Sequence, residues 1–218
     1  MLTAQYSPSP SHDSATLSAR LHQTHAFLDP QNLSDLLIKY EGEVGVLAID
    51  VQKHFCDPAD AQMLDGELWG GNEDTKAASK RIRSVIPQFR KAGVPIYSVY
   101  FSDLGEDLNC YEYIPAVQDT IILKNQTSAF RGGNIEEVLN NDGRKLLLTC
   151  GFNYSACVCA TIEDARSAGF EVCVMDDLTK DGAGFAQGRE YTTRMMECTN
   201  ITATTSKAAL SAVRSLHP

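Results

Sequence analysis

Three side chains in this sequence could together break a bond: Asp50 in "LAIDVQKHFCDP", Lys124 in "IILKNQTSAF" and Cys157 in "CGFNYSACVCATIEDARSAGF". The first two end apolar runs, and the third opens a helical pattern just beyond another. A thiol in the first turn of a helix meets unpaired N–H groups and the positive end of the helix dipole, which favour its thiolate. A neighbouring ammonium does the same. An aspartate beside them could take the thiol proton and hand it to a leaving group. On this reading Cys157 is a nucleophile with a depressed pKa.

Each residue also has a plainer reading. Cys157 could be a small apolar core residue, Asp50 a cap for the segment after it, and Lys124 a solvated strand-end lysine. Their meeting at one place would decide between the two. Only five histidines occur, and four of them (His12, His22, His25, His217) lie in terminal segments. A Cys–His pair would have to recruit His54 or a histidine from a tail, so a carboxylate is the more economical base. Cys159, two residues past Cys157, faces another side of the helix and reads as core. Cys56 could belong to the core or to a pocket.

The elements that must position these groups alternate in type. Apolar, β-rich runs cover 44–50, 94–101, 119–124, 145–150, 170–176 and 200–204. Near-continuous apolarity is the mark of strands buried on both faces of a parallel sheet. Helical patterns cover 74–92, 134–141, 155–168, 187–197 and 206–215, with Gly93 and Gly169 placed to end two of them. The alternation predicts an α/β fold, a three-layer doubly wound sandwich around a mostly parallel six-stranded sheet. Ligands of such sheets sit beyond the carboxyl ends of the strands, where strand order reverses. Asp50, Lys124 and the turn to Cys157 all fall at strand ends.

Residues 1–42 read as an N-terminal extension, mobile at first and then forming short helices in "ATLSARLHQTHAFLD" and "NLSDLLIKYEGE", the second capped by Asn32 or Ser34. Residues 43–218 read as one α/β domain. The net charge of −9 argues against nucleic acid and anionic membrane surfaces, which need clustered Lys and Arg. No apolar run approaches the roughly 18 residues needed to span a bilayer. Seven scattered cysteines without a CxxC pair suit reduced thiols better than disulfides or zinc. With no basic or apolar signal at the N-terminus, a cytoplasmic protein is expected, signal-independent secretion staying open. Neither GxGxxG nor GxxxxGK[ST] follows the first run, and HExxH and GxSxG are absent. No cofactor is expected. "GAGFAQG" (182–188) reads as a flexible active-site loop.

Three blocks, "VLAIDVQKHFCDP", "LKNQTSAF" and "CGFNYSACVCATIEDARSAGFEVCVMDD", resemble the isochorismatase-like cysteine hydrolase superfamily over about residues 43–214. The resemblance implies an Asp–Lys–Cys triad on Asp50, Lys124 and Cys157. It also implies a non-proline cis peptide bond between Phe152 and Asn153, and an oxyanion hole from the backbone N–H groups of Asn153 and Cys157. The sequence departs from the family pattern at Tyr154, where a threonine is usual. "YFSDLGED" lacks the histidine of the D-x-H that metal-binding nicotinamidases carry, so no metal is expected. Isochorismatases proper lack the cysteine and cleave a vinyl ether by acid catalysis, and Cys157 argues against that branch.

The expected activity is cleavage of a C–N bond in a small amide or ureide through a thioester. An isochorismatase-type ether hydrolase and a non-catalytic interaction protein that kept the fold are the alternatives. Phe55, Trp69, Tyr111, Tyr113, Phe130 and Tyr154 are expected pocket walls, with Arg131 meeting a substrate carboxylate or solvent. Asp103, Glu106, Asp107 and Glu112 in the loop 102–116 would favour a neutral or cationic small-molecule substrate if that loop lines the mouth. Relatives in this superfamily form dimers or tetramers, so a homo-oligomer is expected.

Overall fold

The computed structural model describes residues 25–64, 67–102, 113–184 and 201–216. The strands are β1 (His25–Phe27), β2 (Val44–Ile49), β3 (Gln62–Leu64), β4 (Glu67–Trp69), β5 (Ile96–Phe101), β6 (Thr120–Lys124), β7 (Leu146–Gly151), β8 (Glu171–Thr179) and β9 (Ile201–Thr204). The helices are α1 (Pro30–Lys39), α2 (Lys53–Cys56), α3 (Glu73–Lys91), α4 (Ile135–Asn141), α5 (Cys159–Ser167) and α6 (Ser206–Leu216). Seven strands form one parallel sheet in the order β1-β9-β8-β7-β2-β5-β6, while β3 and β4 make a separate antiparallel hairpin.

Side chains alternate across the sheet, so each central strand feeds two cores. Val46, Ala48, Ile96, Leu148, Cys150 and Met175 face one side, packed under Leu33 and Leu37 of α1, Ile82, Ile86 and Phe89 of α3, and Val213 of α6. Leu47, Ile49, Val99, Leu147 and Val174 face the other, under Ile135 and Leu139 of α4 and Ile162 of α5. Every residue of β2 and β7 is buried, the pattern of strands covered on both faces.

The six expected strands all form, and the parallel α/β architecture stands. The sheet gains a seventh strand where a helix was expected. "HAF" (25–27) lies beside β9, with His25 opposite Ile201 and Phe27 opposite Ala203. A three-residue edge strand has no local signature, because it exists through pairing with a strand more than 170 positions away. The helix after it begins earlier than expected: Asp29 caps it by accepting from Asn32 N at 2.8 Å, with Pro30 at the first position. Residues 25–39, expected as part of an extension, thus belong to the sheet and to the α1–α6 layer. The helix expected over 187–197 lies outside the described residues.

The chain runs from β2 outward through β5 to β6, then returns to β7 and continues outward through β8 and β9. Strand order therefore reverses between β2 and β7, and their carboxyl ends flank the place where such a sheet binds its ligand.

Candidate active site

Asp50 follows the last residue of β2. Its N–H donates to Val99 O at 2.8 Å, which ties the strand end to β5, and its carbonyl accepts from Gln52 N at 2.7 Å. A φ of 52° puts its backbone in the left-handed region, which aspartate visits more readily than most residues. The chain turns sharply there, and the carboxyl is wholly buried.

Lys124 ends β6, two strands away. Its side chain spans the end of β5, with Nζ 4.7 Å from the ring centroid of Phe101. Nζ lies 2.8 Å from Asp50 Oδ2 and also donates to the carbonyls of Gln126 (3.2 Å) and Thr127 (3.1 Å). An ammonium has three N–H donors. Two of them go to these carbonyls, and the ion pair with Asp50 adds a third tether on the charge.

Cys157 arrives from β7. Gly151 ends that strand with φ 125°, and a Cβ at this position would lie 1.9 Å from Ile49 O. Only glycine lets β7 leave the sheet this close to β2. The next peptide bond, Phe152–Asn153, is cis, as the resemblance implied. Asn153 then starts a π-turn over Tyr154–Val158, its carbonyl accepting from Ala156 N and Val158 N (3.2 and 3.1 Å). Cys157 sits inside this turn, 7% exposed, within hydrogen-bonding reach of both Asp50 and Lys124. The three expected groups meet.

The electrostatics correct one expectation. Cys157 is not a depressed thiol: burial pushes its pKa up, Asp50 pushes it further, and Lys124 pulls the other way without prevailing. The helix-end argument fails because the site is too dry and already holds a carboxylate. Asp50 is itself raised by burial, against the pull of Lys124 and the Cys157 thiol. Burial works to discharge Lys124, but Asp50 and Cys157 outweigh it and leave the lysine above its ordinary value. The site sets the Cys157 thiol beside the Lys124–Asp50 pair. A carboxylate raised in this way is a stronger base.

His54 is held by other contacts. It lies on α2, its ring edge-on to Phe55 at 5.3 Å, and its carbonyl accepts the Gly71 N–H. Cys56 and Cys159 are fully buried.

A strap formed by residues 180–184 braces the turn that carries Cys157. Tyr154 N donates to Lys180 O at 3.2 Å, and Ser155 donates from N and Oγ to Asp181 Oδ1 at 2.8 and 2.7 Å. Gly182 N donates to Asn153 Oδ1 at 2.7 Å. On its far side the strap accepts from Asn72 Nδ2 at Asp181 O and pairs Ala183 with Gly70. The sequence reading missed Asp181 and Ser155. The available signal was "KDG" directly after β8, an acidic turn residue at another strand end.

The expected walls separate into two groups. Phe55 and Tyr154 are buried, and Trp69 is half-buried on β4 against Gly184. Phe130 and Arg131 instead run down the side of α5. Ala129 N donates to Thr161 Oγ1, Arg131 Nη2 donates to Asp164 Oδ1 at 2.7 Å, and Phe130 meets Phe170 with centroids 5.8 Å apart. Phe170 precedes β8, at the end of the sheet opposite the triad. Arg131 is thereby paired with a carboxylate of its own chain. Tyr113 is also placed elsewhere: its hydroxyl donates to Asp119 Oδ2 at 2.7 Å and accepts from Arg90 Nη2 at 2.9 Å. A phenol in a buried charged cluster is held by that cluster, which loop composition could not reveal. Tyr111 and the acidic loop residues Asp103, Glu106, Asp107 and Glu112 lie outside the described residues. Among the described residues no group of three or more His, Cys, Asp or Glu could hold a metal ion, and no helix is long and apolar enough to cross a membrane.

A family model for the isochorismatase domain matches residues 44–208. The chain belongs to the isochorismatase family. It is similar to the "secreted isochorismatase effector Isc1" of Verticillium dahliae, 24% identical over 133 residues, which cover 56% of this chain and 69% of that protein. Among solved structures, a cysteine hydrolase from Pseudomonas syringae pv. phaseolicola superposes with a TM-score of 0.64 at 18% identity, covering 87% of this chain and 96% of the other. An N-carbamoylsarcosine amidase from Thermoplasma acidophilum gives 0.57 at 19% identity, covering 75% and 96%. These likenesses bear on the fold. Membership carries the coarse class, a hydrolase of the isochorismatase family.

Proposed function

We propose that this member of the isochorismatase family is a cysteine amidohydrolase that opens a C–N bond of a small amide or ureide. The observation that carries the reading is the buried meeting of Asp50, Lys124 and Cys157 at the switch point of the sheet.

In the first half-reaction the Cys157 thiol passes its proton to Asp50 as Sγ attacks the substrate carbonyl carbon. The C=O pair moves onto oxygen, where the N–H groups of Asn153 and Cys157 face it; such donors are usually worth several kcal/mol. The C–N bond then breaks, the leaving nitrogen takes the proton from Asp50, and a thioester on Cys157 remains. In the second half-reaction water attacks the thioester and Asp50 takes its proton. The C–S bond breaks, the acid departs, and the proton returns to sulfur. Lys124 stays charged throughout, offsetting the thiolate and the aspartate in turn. The cluster therefore never holds two uncompensated negative charges, which a buried site would resist.

The N-carbamoylsarcosine amidase likeness supports trying ureides beside simple amides. The test is incubation with a panel of small amides and ureides, followed by intact mass of the protein and by assay of released amine or ammonia. An acyl adduct on Cys157, lost with Cys157→Ala, is expected. Amine or ammonia release that survives Cys157→Ala would overturn the thiol as nucleophile.

A further inference from the structure

One buried polar atom next to the nucleophile's turn, Asn153 Nδ2, has no hydrogen-bond partner among the described residues. Asn153 is 0% exposed, and its neighbours fix which way the amide points. The group 2.7 Å from Oδ1 is the Gly182 N–H, a donor, so the oxygen must be on that side. Nδ2 then faces away from the strap, and no acceptor among the described residues meets it. Buried side-chain donors are nearly always satisfied, so an orphan of this kind calls for an acceptor beyond the described residues.

Its location says what that acceptor is. Asn153 opens the π-turn, and its carbonyl takes the N–H groups of Ala156 and Val158, the residues on either side of Cys157. The strap contact immobilises the amide, so the free donor is oriented before any ligand binds. Gly182 has no room for a side chain, since a Cβ there would lie 2.1 Å from Gly70 O. The strap's own tight fit thus maintains the orientation.

We infer that Asn153 Nδ2 is a substrate-binding donor for the carbonyl-type oxygen of an amide or ureide presented to Cys157. The inference rests on the proposed nucleophile and adds a side-chain donor to the backbone N–H groups. It selects ligands that bring an oxygen lone pair to this point and gives nothing to amines or hydrocarbons of similar size.

The test compares two alkylating reagents on Cys157 at one alkaline pH: iodoacetamide, which carries a carboxamide, and 3-bromopropene, which has no acceptor. Their rate ratio is independent of how much thiolate is present. Asn153→Asp keeps an acceptor for Gly182 and removes the donor. Asn153→Ala removes both without adding charge. In each folded variant the ratio of iodoacetamide to 3-bromopropene labelling should fall about tenfold, the scale of one lost hydrogen bond. In the wild type, acetamide should protect Cys157 from 3-bromopropene, while ethylamine at the same concentration should not. A ratio unchanged within twofold, or equal protection by the two additives, overturns the donor and leaves the nucleophile standing. A wild-type Cys157 inert to both reagents overturns the nucleophile, and the donor with it.

Discussion

Lys124 Nζ and Asp50 Oδ2 meet at 2.8 Å with neither side chain reached by solvent. Removing one member of a buried pair leaves the other charge uncompensated, at a cost of about 3–5 kcal/mol. Asp50→Asn and Lys124→Met are each expected to lower stability by about that amount in urea titrations. The double variant is expected to lose less than the sum of the two. Turnover should fall by about a hundredfold to ten-thousandfold in Asp50→Asn, because an amide cannot take the thiol proton. His54→Ala should leave it near wild type, and the reverse pattern would transfer the base to His54.

Because Asp50 raises the Cys157 thiol and Lys124 lowers it, the same two variants should move its titration in opposite directions. The rate of iodoacetamide labelling against pH reads this directly, since the thiolate is the reacting form. Asp50→Asn should shift the alkaline rise to lower pH even as turnover disappears. Lys124→Met should shift it to higher pH. Coincident profiles would mean that neither charge faces the sulfur.

Asp119 offers a pH test of stability away from the site. Arg90 and Tyr113 hold its carboxyl below the ordinary range in spite of burial. A carboxyl lowered by folding contributes stability above its unfolded pKa, near 3.9, and loses it as pH falls through the folded value. The wild type should therefore be more stable than Asp119→Asn at neutral pH, with the two converging below about pH 4. Urea midpoints across that range check it. A constant gap down to the most acid point would show that the carboxyl is not lowered.

Gly151→Ala should be among the most damaging single changes. The added carbon has backbone on its far side, 1.9 Å away at Ile49 O, and a φ of 125° suits no other residue. A loss above about 3 kcal/mol is expected, read as failed soluble expression or a collapsed urea midpoint. Gly143→Ala is the control: its φ is also positive, but nothing lies within 4 Å of the added carbon. A much smaller loss is expected there.

The meeting of Asp50, Lys124 and Cys157 was legible because parallel-sheet strands announce themselves and ligands bind at their ends. Asp50, Lys124 and Cys157 needed only the correct strand ends to be brought together. Distance along the chain hid the rest. β1 depends on β9, and the strap depends on Asn72, Gly70 and Asn153, partners that no local pattern names. Wall residues were legible as types and illegible as directions, since Phe130 and Arg131 follow loop geometry set by Thr161 and Asp164 on a helix that comes later. The protonation of Cys157 was misread for another reason. Its helix-end position is visible in the sequence, whereas the dryness around it is a property of the packed whole.

The place of β1 beside β9 also governs the order of assembly on the ribosome. β9 separates β1 from β8, so the earliest strand of the sheet has no neighbour to join until the last one has been synthesised. Between the synthesis of β8 and that of β9, the β8 edge lacks its sheet neighbour, and so does His25–Phe27. A nascent chain stalled before Ile201 can close the β2–β7 switch point and bring Asp50, Lys124 and Cys157 together. It still presents an open parallel edge to its neighbours on the polysome, the kind of edge that templates association. Packing of α6 against α1 then completes that flank.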